Sequence, residues 1–364
     1  MSLGIYIHIP FCLRKCAYCD FLSFPADDEV KKEYVEALTE QIENSHGGRA
    51  DSVFIGGGTP SVLSGEDILK IMSAVKKRFI LDENCEVTIE INPATVSEEK
   101  LMLYKKAGIN RISMGVQSFS DSELKRLGRM HSAEQAVQCF RLLRKCGFKN
   151  INMDLMFAIP GQSMESFKKT LKQAAGLSPE HISAYSLIIE EGTAFYDMEK
   201  SGEICEADEE LYVKMFSYVA EFLKENGYSR YEISNFSKKG FESRHNLKYW
   251  NGDEYFGFGL GATGFSGGAR YENTRDLKKY LSGDKPKKTS LSRDELICEY
   301  IITALRKSDG INLAVFKEKF GADFLQLHDM EKYIEGGFIK IDGGRLFFTD
   351  EGIRVSNEIL CELI

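Results

Sequence analysis

Residues 5–19, with the sequence IYIHIPFCLRKCAYC, combine a short apolar strand with three closely spaced cysteines. Isoleucine at every second position of residues 5–9 predicts a strand. Pro10, which has no backbone N–H to donate, is expected to end that strand. Cys12, Cys16 and Cys19 follow with the spacing C-x3-C-x2-C. Three thiols so close together cannot all point into a core, so the sequence predicts a metal or cluster site directly after a strand.

The same strand opens a series of alternating strands and helices that extends to about residue 226. The predicted strands are residues 5–9, 52–55, 86–91, 111–115, 151–156 and 181–186. The predicted helices, which have apolar residues recurring at three and four, are residues 29–44, 66–79, 97–107, 133–146 and 164–176. This alternation implies a parallel sheet with its active site at the carboxyl ends of the strands. The pattern alone leaves a barrel and an open doubly wound sheet as alternatives.

The character of the chain changes after residue 226. We predict four segments, which are an α/β unit at 1–226, a glycine- and aromatic-rich extension at 227–282, a linker at 283–289 and a compact module at 290–364. In the module, helices predicted near 293–306, 314–320 and 324–335 precede a hairpin at 337–348 and a final helix. This is the order of a winged helix-turn-helix. The module has 9 Lys/Arg and 14 Asp/Glu, so we expect it to pack or to bind a partner and not to bind DNA.

Composition and charge exclude several classes of protein. The chain has 364 residues, is 43% hydrophobic and carries a net charge of −8, values that disfavour disorder and general nucleic-acid binding. No apolar run approaches the roughly 18 residues of a membrane-spanning helix. The N-terminus has no basic region or cleavage site of a signal peptide. We therefore expect a cytoplasmic protein whose clustered cysteines bind metal or act as catalytic thiols.

The three clustered cysteines could hold zinc or an iron–sulfur cluster. A closed zinc site needs four ligands, and no fourth cysteine or histidine follows nearby. Three thiolates on a [4Fe–4S] cluster leave one iron open to an exchangeable ligand. The spacing therefore favours a [4Fe–4S] cluster on Cys12, Cys16 and Cys19.

The segment from Tyr6 to Cys19 resembles the signature of the radical S-adenosylmethionine (SAM) superfamily. More narrowly, it resembles the oxygen-independent coproporphyrinogen oxidase family, to which the HemW-type haem chaperones are paralogous. The resemblance continues through GGGTPS (56–61), EINP (90–93), GVQSF (115–119), LGRMH (127–131) and DLMFAIPGQ (154–162). It implies a partial (β/α)6 TIM-like barrel of the radical SAM type with a small winged-helix-like α+β module, in line with six predicted strands.

The resemblance also implies a SAM site beside the cluster. SAM would bind the open iron, and an electron from the cluster, supplied by an external reductant, would cleave a carbon–sulfur bond. Glu90 and Asp154 suit the ribose or the amine, Tyr18 the adenine face and Arg129 a carboxylate. Each of these could instead be an ordinary salt-bridge or capping residue. The residues that the resemblance assigns to SAM are Tyr6, Tyr18, Gly57, Gly58, Thr59, Glu90, Gln117, Arg129 and Asp154.

Two features bear on the choice between oxidase and chaperone. The oxidase branch carries a further cysteine two residues after the third, where this chain has Phe21, and an extension ahead of the motif. Residues 245–250 have the pattern H-N-x-x-Y-W, which resembles the haem-binding motif of the HemW-type chaperones. The residues that this resemblance assigns to haem are His245, Asn246, Tyr249 and Trp250. Read without the resemblance, His245 and Asn246 could hydrogen-bond a loop while Trp250 fills the core.

The resemblance therefore favours a haem chaperone that carries a [4Fe–4S] cluster and exchangeable SAM. Its expected partners are haem, a haem-accepting protein that the sequence does not identify, and a reductant for the cluster. A membrane-associated acceptor and a homodimer are compatible with this function. The alternative is an oxygen-independent coproporphyrinogen III oxidase, and whether SAM is cleaved productively stays open. A DNA-binding regulator is disfavoured by the acidic module.

Overall fold

The computed structural model describes residues 2–363 and is dominated by one twelve-stranded sheet. Six parallel strands, adjacent in chain order, form its centre. These strands are β1 (Leu3–Ile9), β2 (Gly48–Gly57), β3 (Phe79–Ile91), β4 (Arg111–Gln117), β5 (Asn150–Phe157) and β6 (His181–Ser186). The helices of this region are α1 (Asp28–Glu43), α2 (Gly65–Arg78), α3 (Glu98–Ala107), α4 (Asp121–Arg126), α5 (Ala133–Lys145), α6 (Met164–Leu177), α7 (Ala194–Lys200) and α8 (Glu209–Glu225). The six-stranded α/β prediction is confirmed.

Helix boundaries follow local capping signals in the sequence. The Ser97 side chain accepts a hydrogen bond from the Lys100 N–H at the start of α3, and Gly108 ends that helix with a φ of 95°. A left-handed residue of this kind is most easily supplied by glycine. Within residues 2–363, no helix combines the length and the apolar character needed to cross a bilayer.

Alternate residues of the central strands face two different environments. Ile5, Ile7 and Ile9 of β1 are fully buried and pack in one core with the helices, represented in α1 by Val35 and Leu38. The intervening positions of the six strands are largely polar or small, and many of them line cavities on the inner side of the sheet, as Glu90, Ser113 and Asp154 do. The inner face is thus the one that can bind a polar ligand.

The extension predicted at 227–282 lengthens the sheet at both edges. β9 pairs parallel with β1, whereas β8 pairs antiparallel with β6, and the strand order begins at β12 and ends at β7, so the barrel is partial. Part of the predicted linker is also a strand, since β12 pairs antiparallel with β11. The elements of this region are β7 (Ser229–Arg230), β8 (Asn235–Ser237), α9 (Arg244–Asn251), β9 (Tyr255–Phe258), β10 (Thr263–Ser266), β11 (Ala269–Glu272), α10 (Leu277–Leu281) and β12 (Lys287–Ser290).

The C-terminal module has its own hydrophobic core and a three-stranded sheet in the order β13-β15-β14. Gly343 and Gly344, with φ values of 54° and 74°, form the hairpin turn between β14 and β15, where two consecutive positive φ angles favour glycine. The elements are α11 (Arg293–Ala304), β13 (Ile311–Asn312), α12 (Leu313–Phe320), α13 (Phe324–Leu327), α14 (Glu331–Glu335), β14 (Ile339–Asp342), β15 (Arg345–Phe348), α15 (Asp350–Arg354) and α16 (Ser356–Leu363). Their order agrees with the predicted winged-helix-like α+β module.

Candidate functional site

A cavity of about 480 Å³ lies at the carboxyl ends of the six central strands. Its lining comes from the last residues of these strands and from the segments that follow them. Most of the residues predicted to hold the cluster and SAM line this one space. They are Cys12, Cys16, Tyr18, Cys19, Gly57, Gly58, Thr59, Glu90, Gln117, Arg129 and Asp154. Tyr6 is the exception, because it lines a separate cavity in the lumen of the barrel.

The cysteine loop is closed at its base by backbone hydrogen bonds. The Cys12 N–H donates to the Phe24 carbonyl over 3.1 Å, and the Phe24 N–H donates to the Pro10 carbonyl over 2.9 Å. Further along, the Ala17 N–H donates to the Leu127 carbonyl over 3.1 Å. These contacts fold the loop over the ends of the strands, so that its thiols face the cavity.

The three thiols share the cavity but differ in their contacts. Cys12 Sγ lies 3.3 Å from Thr59 Oγ1, and Arg129 Nη1 donates to Cys16 Sγ over 3.6 Å. Burial raises the pKa of the Cys19 thiol. Within residues 2–363, no group of three or more His, Cys, Asp and Glu side chains is arranged to hold one metal ion. A [4Fe–4S] cluster binds each thiolate at a different iron, so it needs ligands spread around the cluster and not gathered on one ion.

The glycines at the end of β2 are required by close backbone packing. Gly57 has a φ of 111°, and a Cβ there would collide with the His8 ring. A Cβ on Gly58 would lie 2.8 Å from the Phe11 carbonyl oxygen. The Gly58 N–H donates to the Ile9 carbonyl over 2.8 Å, which joins this turn to the start of the cysteine loop. The glycines therefore bring the cysteine loop and the end of β2 together.

Two partly buried carboxylates, those of Glu90 and Asp154, lie on the inner face of the sheet. Glu90 Oε2 accepts a hydrogen bond from the Gly57 N–H over 3.0 Å. Asp154 accepts from Ser113 Oγ over 3.1 Å and from Asn152 Nδ2 over 2.7 Å. Burial, followed by the charge of Asp154, raises the pKa of Glu90 to about 8, and burial also raises the pKa of Asp154. A cationic ligand in this cavity would favour the ionised form of both groups.

Arg129 supplies positive charge to the same cavity. Its Nη2 donates to the Gly115 carbonyl over 2.6 Å, while its Nε is buried without a hydrogen-bond partner among residues 2–363. Burial acts to lower the pKa of Arg129, but the facing Tyr18 and cysteine groups raise it overall. An unpartnered guanidinium N–H can bind a carboxylate.

The residues present therefore fit a cluster with SAM. Three thiols, two partly buried carboxylates and one arginine suit a cluster and a ligand that carries both an amine and a carboxylate. A volume of about 480 Å³ lies within the usual range of about 300–1,000 Å³ for ligand pockets. Sequence reasoning missed many further lining residues, among them Met130, Met156, Ile188 and Glu190. Met156 ends a predicted strand and Ile188 and Glu190 closely follow one, a position that could have identified them.

His245, at the start of α9, is fully buried in the lumen. Its Nδ1 lies 3.0 Å from Ser52 Oγ and its Nε2 lies 2.8 Å from the Tyr249 hydroxyl. Its ring stacks on Phe54 with a centroid distance of 5.4 Å. Burial lowers the pKa of His245 to about 3, so the imidazole is neutral. Both ring nitrogens are engaged, and iron ligation by His245 would require one of these hydrogen bonds to be given up.

The H-N-x-x-Y-W residues do not share one surface. His245, Asn246 and Tyr249 line a lumen cavity of about 180 Å³, which is smaller than typical cofactor pockets. Trp250 does not line this cavity, and the Arg306 guanidinium, just beyond α11, lies 5.9 Å from its ring centroid. The motif therefore connects the barrel lumen with the C-terminal module.

Comparison with known proteins places these features in a family. Residues 6–174 match the model of the radical SAM superfamily, and residues 291–355 match that of the HemN C-terminal domain. Two similar proteins are each named "Heme chaperone HemW". The one from Lactococcus lactis subsp. lactis is 35% identical, with 97% of this chain and 95% of the relative covered. The one from Bacillus subtilis is 37% identical, with 97% of each covered.

A solved structure shows the same fold. Coproporphyrinogen III oxidase (HemN) from Escherichia coli superimposes with a TM-score of 0.85 at 22% sequence identity. The superposition covers 100% of this chain and 89% of the oxidase chain. It supports the partial barrel with its C-terminal module.

Proposed function

Because the chain belongs to the HemW family of haem chaperones within the radical SAM superfamily, we propose that it binds haem and passes it to an acceptor protein. The observation that carries this proposal is the near full-length match to relatives named as haem chaperones. The haem acceptor and a reductant for the cluster are the expected protein partners.

The large cavity is the proposed site of the cluster and of SAM. Cys12, Cys16 and Cys19 would hold the [4Fe–4S] cluster, which would supply an exchangeable iron site for SAM and the electron for reduction of its sulfonium. Around it, Glu90 and Asp154 would bind the cationic or hydroxyl groups of SAM. Arg129, whose Nε has no partner among residues 2–363, would bind a carboxylate, and Gly57 and Gly58 allow the cysteine loop to lie close to the end of β2.

An apolar rim around the mouth of this cavity supports the binding of a porphyrin. Leu13, Phe21, Met130 and Ile188 line the cavity and are 52–68% exposed. Exposed apolar side chains that converge at one opening commonly mark a binding surface. Haem has a flat apolar macrocycle, which can pack against the apolar side chains of such a rim.

The H-N-x-x-Y-W segment remains the predicted haem-binding motif, but iron ligation by its histidine would require a local rearrangement. For His245 to ligate iron, its imidazole must give up its hydrogen bond to Ser52 or to Tyr249. The experiment must therefore separate loss of haem binding from loss of folding.

An anaerobic optical titration of cluster-containing protein with haem tests the proposal. We expect saturation near one haem per chain, followed by transfer of the bound haem to a haem-free globin as a generic acceptor. His245→Ala is compared with His46→Ala, since His46 is an exposed histidine near the end of α1. Circular dichroism of each variant confirms that it is folded before the titration is interpreted.

Absence of stoichiometric haem binding by the folded wild-type protein would overturn the chaperone function. Anaerobic consumption of coproporphyrinogen III by the same preparation would then favour the oxidase function. If haem binds but His245→Ala binds it equally well, haem is held elsewhere, and the apolar rim becomes the site to mutate.

A further inference from the structure

The lumen cavity behind the proposed SAM site has a volume of about 180 Å³. Four of its lining residues also line the large cavity, so the two spaces adjoin. These shared residues are Glu90, Ser113, Asp154 and Tyr185. The lumen cavity is too small for SAM, but it has ample room for a small anion, since one water needs only about 10–15 Å³.

Arg111, the first residue of β4, is a buried cation of this lumen that forms no ion pair within residues 2–363. It lines the cavity and is 2% exposed. Its Nε has no hydrogen-bond partner, and no carboxylate oxygen of residues 2–363 lies within 4.0 Å of its guanidinium nitrogens. An arginine that is buried without a partner is strongly unfavourable, because the charge loses its hydration without compensation.

The acidic side chains of the lumen accept their hydrogen bonds from groups other than Arg111. Glu86 accepts hydrogen bonds from the backbone N–H groups of Arg244 and His245. Asp154 is satisfied by Ser113 and Asn152, and Glu90 accepts from Gly57. Burial and the charge of Asp154 raise the pKa of Glu90 to about 8, so Glu90 is largely neutral at pH 7. The charge of Arg111 acts to lower the pKa of both Glu90 and Asp154, but neither carboxyl lies close enough to form an ion pair with it.

Asn246 offers a second set of donors to the same cavity. Its side chain lines the cavity and makes no hydrogen bond to another residue of the described chain, while its backbone N–H is bound to Ser243 Oγ. The neighbouring His245 is held in place by Ser52 and Tyr249, which fixes the start of α9 against the lumen. The amide N–H groups of Asn246 can donate to an anion.

We propose that the lumen cavity binds a carboxylate group, held by the Arg111 guanidinium and by the side-chain amide of Asn246. A guanidinium presents two parallel N–H donors that match the two oxygens of a carboxylate. The carboxylate has two sources, a small free acid in solution or a propionate arm of bound haem. The second source rests on the proposed haem-binding function, whereas the first does not.

Thermal unfolding of the cluster-containing protein under anaerobic conditions tests the site, with propionate as the probe. Propionamide, which has the same shape without the charge, is the matched control. We expect propionate, but not propionamide, to raise Tm saturably, because a ligand that binds the folded state stabilises it. Arg111→Met and Asn246→Asp should each weaken this effect by about tenfold or more, as expected when a charged hydrogen bond is removed.

Asn246→Asp keeps the shape of the side chain and replaces its donors by a negative charge, so it tests the site even if Arg111→Met fails to fold. Absence of a saturable propionate effect in the wild type, an equal effect of propionamide, or unchanged affinity in folded Asn246→Asp would overturn the assignment.

A comparison of haem with its dimethyl ester identifies the source of the carboxylate. Weaker binding of the ester to the wild type, with no such difference in Arg111→Met, identifies a haem propionate. Equal binding of haem and ester, together with a saturable propionate effect, identifies a free carboxylate. If the protein binds no haem at all, the chaperone function fails while the propionate measurement still decides the lumen site.

Discussion

Replacement of His245 by alanine should destabilise the folded protein strongly, whatever its effect on haem. The imidazole is fully buried and hydrogen-bonds two hydroxyls, those of Ser52 and Tyr249. Each buried hydroxyl left without a partner costs about 1 kcal/mol or more. Loss of the stacked ring against Phe54 adds about 1–2 kcal/mol of packing. We therefore expect His245→Ala to lower the free energy of unfolding by about 3–4 kcal/mol.

Urea unfolding followed by far-UV circular dichroism measures this loss. The midpoint should fall in His245→Ala while the slope of the transition stays constant. His46→Ala, at an exposed position, should stay within about 0.5 kcal/mol of the wild type. A loss below about 1 kcal/mol in His245→Ala would refute the reasoning, since it would mean that the imidazole is not held by both hydroxyls in the folded state.

Three further predictions follow from burial and close packing. The folded-state pKa of His245 is about 3, below its ordinary value of 6.5. Its contribution to the free energy of unfolding is therefore present above pH 6.5 and is lost as the pH falls toward 3. Between pH 7 and pH 4, the urea midpoint should decline less steeply in His245→Gln than in the wild type. Gly58→Ala places a Cβ 2.8 Å from the Phe11 carbonyl oxygen and should cost about 1–3 kcal/mol, with lower iron content per chain after reconstitution. Glu90→Gln should weaken SAM binding measured by calorimetry. In the wild type, the affinity for SAM should rise as the pH approaches 8, because Glu90 ionises there. Glu90→Gln should not show this rise, and equal pH profiles of the two proteins would contradict the role of Glu90 in SAM binding.

Much of the fold could be predicted because its signals are local. The isoleucines at 5, 7 and 9 mark a strand by their period, and Ser97 and Gly108 mark the ends of a helix by capping chemistry. The three cysteines lie within eight residues, so their shared exposure to one cavity needs little long-range information. Each of these inferences depends on residues that are neighbours in the chain.

The edges of the sheet were not predicted from the sequence. The strands β9 and β12 are only four residues each, and β12 has four exposed residues, so neither carries a strong periodic signal. Whether such a segment becomes a strand depends on the edge that is available to it. β1 offers that edge to β9 although more than 240 residues separate them in the chain.

The motif and the spacing in the sequence determined which chemistry this chain can carry: three thiols after a strand, a glycine turn, and two acids on the inner face of the strands. Tertiary structure alone decided that His245 is enclosed between Ser52 and Tyr249. It also decided that Arg111 lines the same cavity as Asn246, with no hydrogen-bond partner for its Nε among the described residues. The physical reason is that burial and hydrogen bonding are properties of the assembled sheet. Ser52 and His245 lie 193 residues apart in sequence, and only the packing of α9 against the lumen brings them within 3.0 Å.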